Sequence, residues 1–166
     1  MKTRMMAIAV TALAVVVVMV LVAGGCSLDS NGTGVEIKPT WTPAQIEGDQ
    51  ISIPKGEVDD GNMIHFRVEQ QGDSMVFMAY RLGEEIYLRA SICPPCRSES
   101  FSLAGGTLVC NTCGTRFRAT TGDGISGACK SYPKAEVAYA VTGDRVIASM
   151  NDLVTAYQNT EIAGRP

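Results

Sequence analysis

Residues 93–113 read CPPCRSESFSLAGGTLVCNTC: two C-x-x-C pairs with 13 residues between them, Gly114 directly behind the second pair and Cys129 a further 15 residues on. A two-residue gap folds each pair into a tight knuckle with both sulfurs on one side, where backbone N–H groups can face the thiolates. Gly114 supplies the backbone freedom such a turn commonly needs. Four thiolates drawn together, Cys93, Cys96, Cys110 and Cys113, suit tetrahedral zinc or iron, including a [2Fe–2S] cluster. Spacing alone ranks structural zinc first, iron–sulfur second, and disulfide or dithiol redox chemistry third. Cys129 is one thiol too many for a four-ligand site. It is a free or reactive thiol, a substitute ligand, or half of a disulfide.

The sequence on either side of the knuckles predicts short strands. MIHFRVE (63–69) alternates Ile64, Phe66 and Val68 against Met63, His65, Arg67 and Glu69, which places His65 on the solvent face of a strand. Ser74–Arg81 and Glu85–Ser91 form a hairpin through Leu82, Gly83 and Glu84, with Ile86, Leu88 and Ala90 inward and Tyr87 and Arg89 outward. Further strands are expected at 107–110, 116–119, 136–141 and 145–149, then a short helix over 151–158 capped by Asn151. The expectation is an all-β fold, a small antiparallel sandwich or barrel with two Cys loops and a short C-terminal helix.

At the N-terminus, Lys2 and Arg4 precede a 19-residue uncharged apolar run (5–23) that ends in Ala23, Gly24 and Gly25 before Cys26. This reads as a signal peptide over 1–25. Ala23-Gly24-Gly25-Cys26 resembles the lipobox of bacterial lipoproteins, and the resemblance implies lipid attachment at Cys26. The alternative is an uncleaved anchor helix, since the run is long enough to span a bilayer. Either way the domain is expected at the cell membrane, on its extracytoplasmic face. Residues 26–50, rich in Ser, Asn, Gly, Thr and Pro, read as a flexible tether, and 51–160 as the metal-binding domain. Trp41, the single Trp, is expected to dock on that domain.

Composition excludes several classes. The net charge of −3 and the scattered Lys and Arg do not suit a nucleic-acid partner. One His excludes His-rich metal sites and argues against a Ser-His-Asp triad. Asp59-Asp60 and Glu84-Glu85 read as solvated turn residues without the partly buried pairing that acid–base chemistry needs. Met63, Met75 and Met78 with His65 offer copper-type donors, but strand parity puts Met75 and Met78 on opposite faces, and core packing is the reading adopted. Arg97, Arg116 and Arg118 lie beside the Cys loops as a solvated edge.

The order from Met75 is hairpin, CPPC loop, SFSLAGGTLV, second Cys loop, Phe117, and the Gly-rich turn Thr121-Gly122-Asp123-Gly124 before two closing strands. It resembles a Rieske domain with Cys96 and Cys113 standing where histidines would be expected. CPPC, LVCNTCGTRF and ISGAC also resemble the FtrD-like membrane iron–sulfur family. That resemblance implies Cys93, Cys96, Cys110 and Cys113 as ligands, with Cys129 as the family's late cysteine. It moves an iron–sulfur cluster, [2Fe–2S] by the Rieske likeness, ahead of zinc. It implies an electron carrier or accessory subunit of a membrane redox or iron-uptake (permease) system, more a non-catalytic protein than an enzyme. The rivals are a zinc-stabilised binding module and a thiol–disulfide redox protein.

Overall fold

The computed structural model describes residues 35–59 and 62–165. The signal or anchor segment, Cys26 and Asp60 lie outside the described residues. Among the described residues, no helix is long and apolar enough to cross a membrane.

The described residues are mostly β, with twelve short strands in three four-stranded sheets and two helices. The central sheet runs in the order β1 (Pro39–Trp41), β4 (Met63–Gln70), β5 (Asp73–Leu82), β6 (Glu85–Ala90). A second sheet is ordered β10 (Gly124–Ser126), β9 (Arg116–Arg118), β8 (Thr107–Cys110), β7 (Phe101–Ala104). The third is ordered β11 (Ala140–Thr142), β12 (Arg145–Ser149), β3 (Gln50–Pro54), β2 (Gln45–Glu47). Helix α1 (Lys55–Asp59) follows β3, and α2 (Met150–Thr160) closes the fold. Ser149 caps α2, its hydroxyl accepting from the Asp152 N–H at 3.1 Å, two residues earlier than the Asn151 cap expected from sequence.

The alternation in MIHFRVE does set the register: Ile64, Phe66 and Val68 pack with Phe77, Ala79, Ile86, Leu88 and Ala90 on one face of the central sheet. Ile51, Ile53, Val146 and Ala148 of the third sheet, with Leu153 and Ala156 of α2, cover that face. The opposite face is also covered. Met63, Met78 and Tyr80 pack with Phe101, Leu103, Leu108 and Phe117 of the second sheet. A strand alternating in polarity therefore loses both its faces to the interior. This corrects two expectations: His65 is fully buried, and Arg89 is 1% exposed.

Two further corrections concern the chain ends of the domain. Residues 39–47, read as part of a tether, are paired: β1 lies parallel to β4, β2 lies antiparallel to β3, and Ile37 exchanges backbone hydrogen bonds with Leu103 at 2.8 and 2.9 Å. Turn-rich composition does not prevent pairing when a neighbouring edge offers unsatisfied backbone groups. The strand expected over 136–141 is reduced to a bridge between Glu136 and Arg89 and to β11. Trp41 docks as expected, its ring 5.5 Å from that of His65, though it stays half-exposed.

Candidate metal centre

The two Cys loops are built alike. In the first, the Cys93 N–H donates to Ser98 O at 2.7 Å and the Cys96 N–H to Cys93 O at 3.2 Å. In the second, the Cys110 N–H donates to Thr115 O at 2.9 Å and the Gly114 N–H to Cys110 O at 2.9 Å. Each knuckle turns through a left-handed residue one place after its second cysteine, Gly114 at φ 69° and Arg97 at φ 56°. Gly114 is the residue the sequence pointed to. Arg97 does the same without being a glycine, which pattern reading did not find.

The loops are laced together by polar side chains. Thr112 Oγ1 donates to Ser98 Oγ at 2.9 Å, Asn111 Nδ2 to Ser100 Oγ at 2.8 Å, and Ser102 Oγ to Asn111 Oδ1 at 2.8 Å. This brings one sulfur from each of Cys93, Cys96, Cys110 and Cys113 within 4.8 Å of all the others. Cys93 and Cys113 are 4.0 Å apart and Cys96 and Cys110 3.7 Å, so the close contacts run between loops. Cys93 and Cys110 are buried, Cys96 is half-buried and Cys113 exposed, so the group reaches the surface on one side.

Cys129 is the fifth thiol, buried, with its Sγ 3.7 Å from that of Cys113. Thr115, fully buried and unremarked in the sequence, joins the two: its Oγ1 is 3.2 Å from Cys113 Sγ and accepts the Cys129 N–H at 3.2 Å. All five described cysteines are free thiols.

Charge distributes unevenly over the sulfurs. Burial raises Cys93 well above the ordinary thiol range and pushes Cys96 up to about 11. At Cys113 burial acts in the same direction, but hydrogen bonds from the Thr115 hydroxyl and N–H, with those from Cys110 and Cys96, outweigh it and bring the thiol down to about 6. Four adjacent sulfurs cannot all carry charge without a cation among them, and this donor set fits a metal or an iron–sulfur cluster on that ground.

Beneath the sulfurs lies Lys134, fully buried. Its Nζ donates to Ile92 O at 2.6 Å and sits 4.6 Å from the Phe117 ring centroid and 5.5 Å from that of Phe101. Burial lowers its pKa to about 8, while the nearby sulfurs of Cys93, Cys110, Cys129 and Cys96 act to keep it protonated. Arg89 holds the segment that carries Lys134 and Cys129. Its guanidinium donates to Tyr80 Oη (3.0 Å), Lys134 O (2.9 Å), Thr120 O (2.6 Å) and Glu136 Oε2 (3.1 Å). Gly122 makes this crossing possible, because a Cβ there would lie 2.1 Å from Lys134 O. The sequence placed Arg89 outward and assigned Lys134 no role.

The remaining candidates stay outside the group. Arg97, Arg116 and Arg118 are exposed, as expected of a solvated edge. Asp59 pairs with Lys55 and with Arg81 (3.1 Å), and Glu84 and Glu85 are exposed. Met75 lies in the core opposite Met63 and Met78, as parity required.

Three sheets in a Rieske-like arrangement with a four-thiolate group between two loops define a small β protein built around a metal or iron–sulfur site. The chain belongs to the family described as membrane iron–sulfur containing protein, FtrD-like, whose model matches residues 58–159. Among solved structures it is similar to a chain of the complex of reduced oxygenase and oxidized ferredoxin in carbazole 1,9a-dioxygenase. That match has a TM-score of 0.51 at 20% identity and covers 63% of this chain and 95% of the other. Comparison with curated proteins gives no match.

Proposed function

We propose that this chain is an extracytoplasmic electron-transfer protein that holds a [2Fe–2S] cluster through Cys93, Cys96, Cys110 and Cys113. The observation that carries the reading is the gathering of these four cysteines into one group in a chain of the FtrD-like iron–sulfur family. When bound, such a cluster supplies a one-electron couple. The protein's own part is to hold the thiolates, to shield Cys93 and Cys110, and to leave Cys113 at the surface, where a partner can approach. Four thiolate ligands add negative charge relative to the mixed Cys and His ligation of Rieske centres, so the expected potential is low. In the same reading Cys26 carries lipid that anchors the protein to the membrane, beside a membrane redox or permease complex.

A second reading is favoured by the sulfur separations. A regular tetrahedron with metal–sulfur bonds of about 2.3 Å has edges of about 3.8 Å, and the inter-loop contacts are 3.7 and 4.0 Å. That geometry suits one zinc or one iron ion, and zinc would make the site a closed staple. Anaerobic purification with visible absorption and iron, zinc and sulfide analysis tests both. The expected result is a brown protein with iron and sulfide in equal amounts. A colourless protein with one zinc after iron and sulfide reconstitution overturns the cluster reading.

A further inference from the structure

Among the described residues, the two imidazole nitrogens of His65 are the buried side-chain nitrogen or oxygen atoms that lack any hydrogen-bond partner. Leaving a buried donor and acceptor unpaired is costly, so such a group calls for a reason. A Phe would fill the same volume without that cost. The surroundings of His65 supply the reason. Met63 is two residues before it on β4 and therefore on the same sheet face, and Met78 is directly opposite it on β5. Both methionines are fully buried. Directly paired residues on neighbouring strands have Cβ atoms about 4.5–5.5 Å apart, and a methionine has three rotatable bonds with which to turn its sulfur toward the ring. Trp41, opposite His65 on the edge strand β1, lays its ring 5.5 Å from the imidazole and remains half-exposed.

We propose that His65, Met63 and Met78 form a second metal site, selective for Cu(I), with Trp41 as its cover. One imidazole and two thioethers are soft, neutral donors, a set that suits Cu(I) and is poor for zinc, magnesium or calcium. The site contains no carboxylate or thiolate, so it discriminates by softness and not by charge. Entry is from the sheet edge: β1 is three residues long and Trp41 is the half-exposed side chain over the imidazole. The site shares no residue with the cysteine group, although Met63 and Met78 belong to the same buried cluster as Cys93, Cys110 and Cys129, and it does not depend on which metal that group holds.

The test uses the full chain with its cysteine group already loaded, under anaerobic conditions, titrated with Cu(I) held by a competing chelator. Trp41 is the single Trp and reports directly on the site through its fluorescence. The expected result is one equivalent of Cu(I) bound with quenching of Trp41, and no loss of iron or zinc. In Met63→Leu/Met78→Leu, which preserves volume, and in His65→Phe, affinity should fall at least tenfold; thermal unfolding of the double variant should stay close to that of the parent, and that of His65→Phe should be at or above it, since the unpaired imidazole nitrogens are gone. Leu-for-Met exchange is among the best tolerated core substitutions, so the double variant remains informative if His65→Phe misfolds. Copper uptake without quenching, or uptake unchanged in the folded double variant, places the copper on cysteines and overturns the proposal.

Discussion

Replacing Arg89 with Met removes a buried cation and leaves its linear stem. Its hydrogen bonds divide by exposure. The bonds to Lys134 O (2.9 Å) and Tyr80 Oη (3.0 Å) are buried, whereas Thr120, Thr121 and Glu136 are exposed residues that water can serve. Tyr80 keeps its own donated bond to Ala119 O at 2.6 Å, so Lys134 O is the acceptor left without a partner. Charged hydrogen bonds contribute about 1.5–3 kcal/mol each. The half-exposed Glu136 pair adds little, and relief of the guanidinium's own desolvation offsets part of the loss. A net destabilisation of about 3 kcal/mol results. For a domain of this size that corresponds to a fall in Tm of roughly 10 °C. The loop from Ala119 to Glu136 should loosen with it, so Cys129 alkylates faster in the folded protein. Thermal unfolding by circular dichroism and timed alkylation with mass spectrometry read the two effects. A Tm within about 2 °C of the parent and unchanged protection of Cys129 would refute the assignment of Arg89 as the clamp of this loop.

Lys134→Met removes the buried positive charge under the sulfurs and should move the midpoint potential of the iron-loaded protein to a more negative value, while Lys134→Arg keeps the sign of the charge and most of the potential; a redox titration showing no downward shift for Met rejects this role. Cys96→Ser and Cys110→Ser should lose bound metal, and Cys129→Ser should retain it; equal loss in all three by elemental analysis would make Cys129 a ligand. His65 sets an acid limit on stability. Burial lowers its pKa to about 4 from 6.5, so between those values the unfolded chain binds the proton and the folded chain does not. Stability is therefore full above pH 6.5 and falls by up to about 3 kcal/mol as pH drops to 4. His65→Phe should flatten that part of the urea-denaturation profile, and a profile unchanged by the substitution counts against the buried neutral imidazole.

The pairing of four thiols into one group was legible in the chain. Two C-x-x-C pairs at fixed spacing specify knuckles because a two-residue turn leaves few alternatives, and the parity of Ile64, Phe66 and Val68 specifies a strand register because a slip of one residue would turn every apolar side chain over. Those are local constraints, and local pattern carries them. The rest depends on long-range packing. Whether the second face of a strand meets water or another sheet depends on where distant segments dock, which is why His65 and Arg89 are buried despite their polarity. The parallel pairing of residues 39–41 with β4 is equally invisible to composition. So is the placement of Lys134 under the four sulfurs and of Cys129 beside Cys113. Those groups meet because Arg89 draws the 119–136 loop across the central sheet, an interaction spanning more than thirty residues that no pattern in the chain encodes.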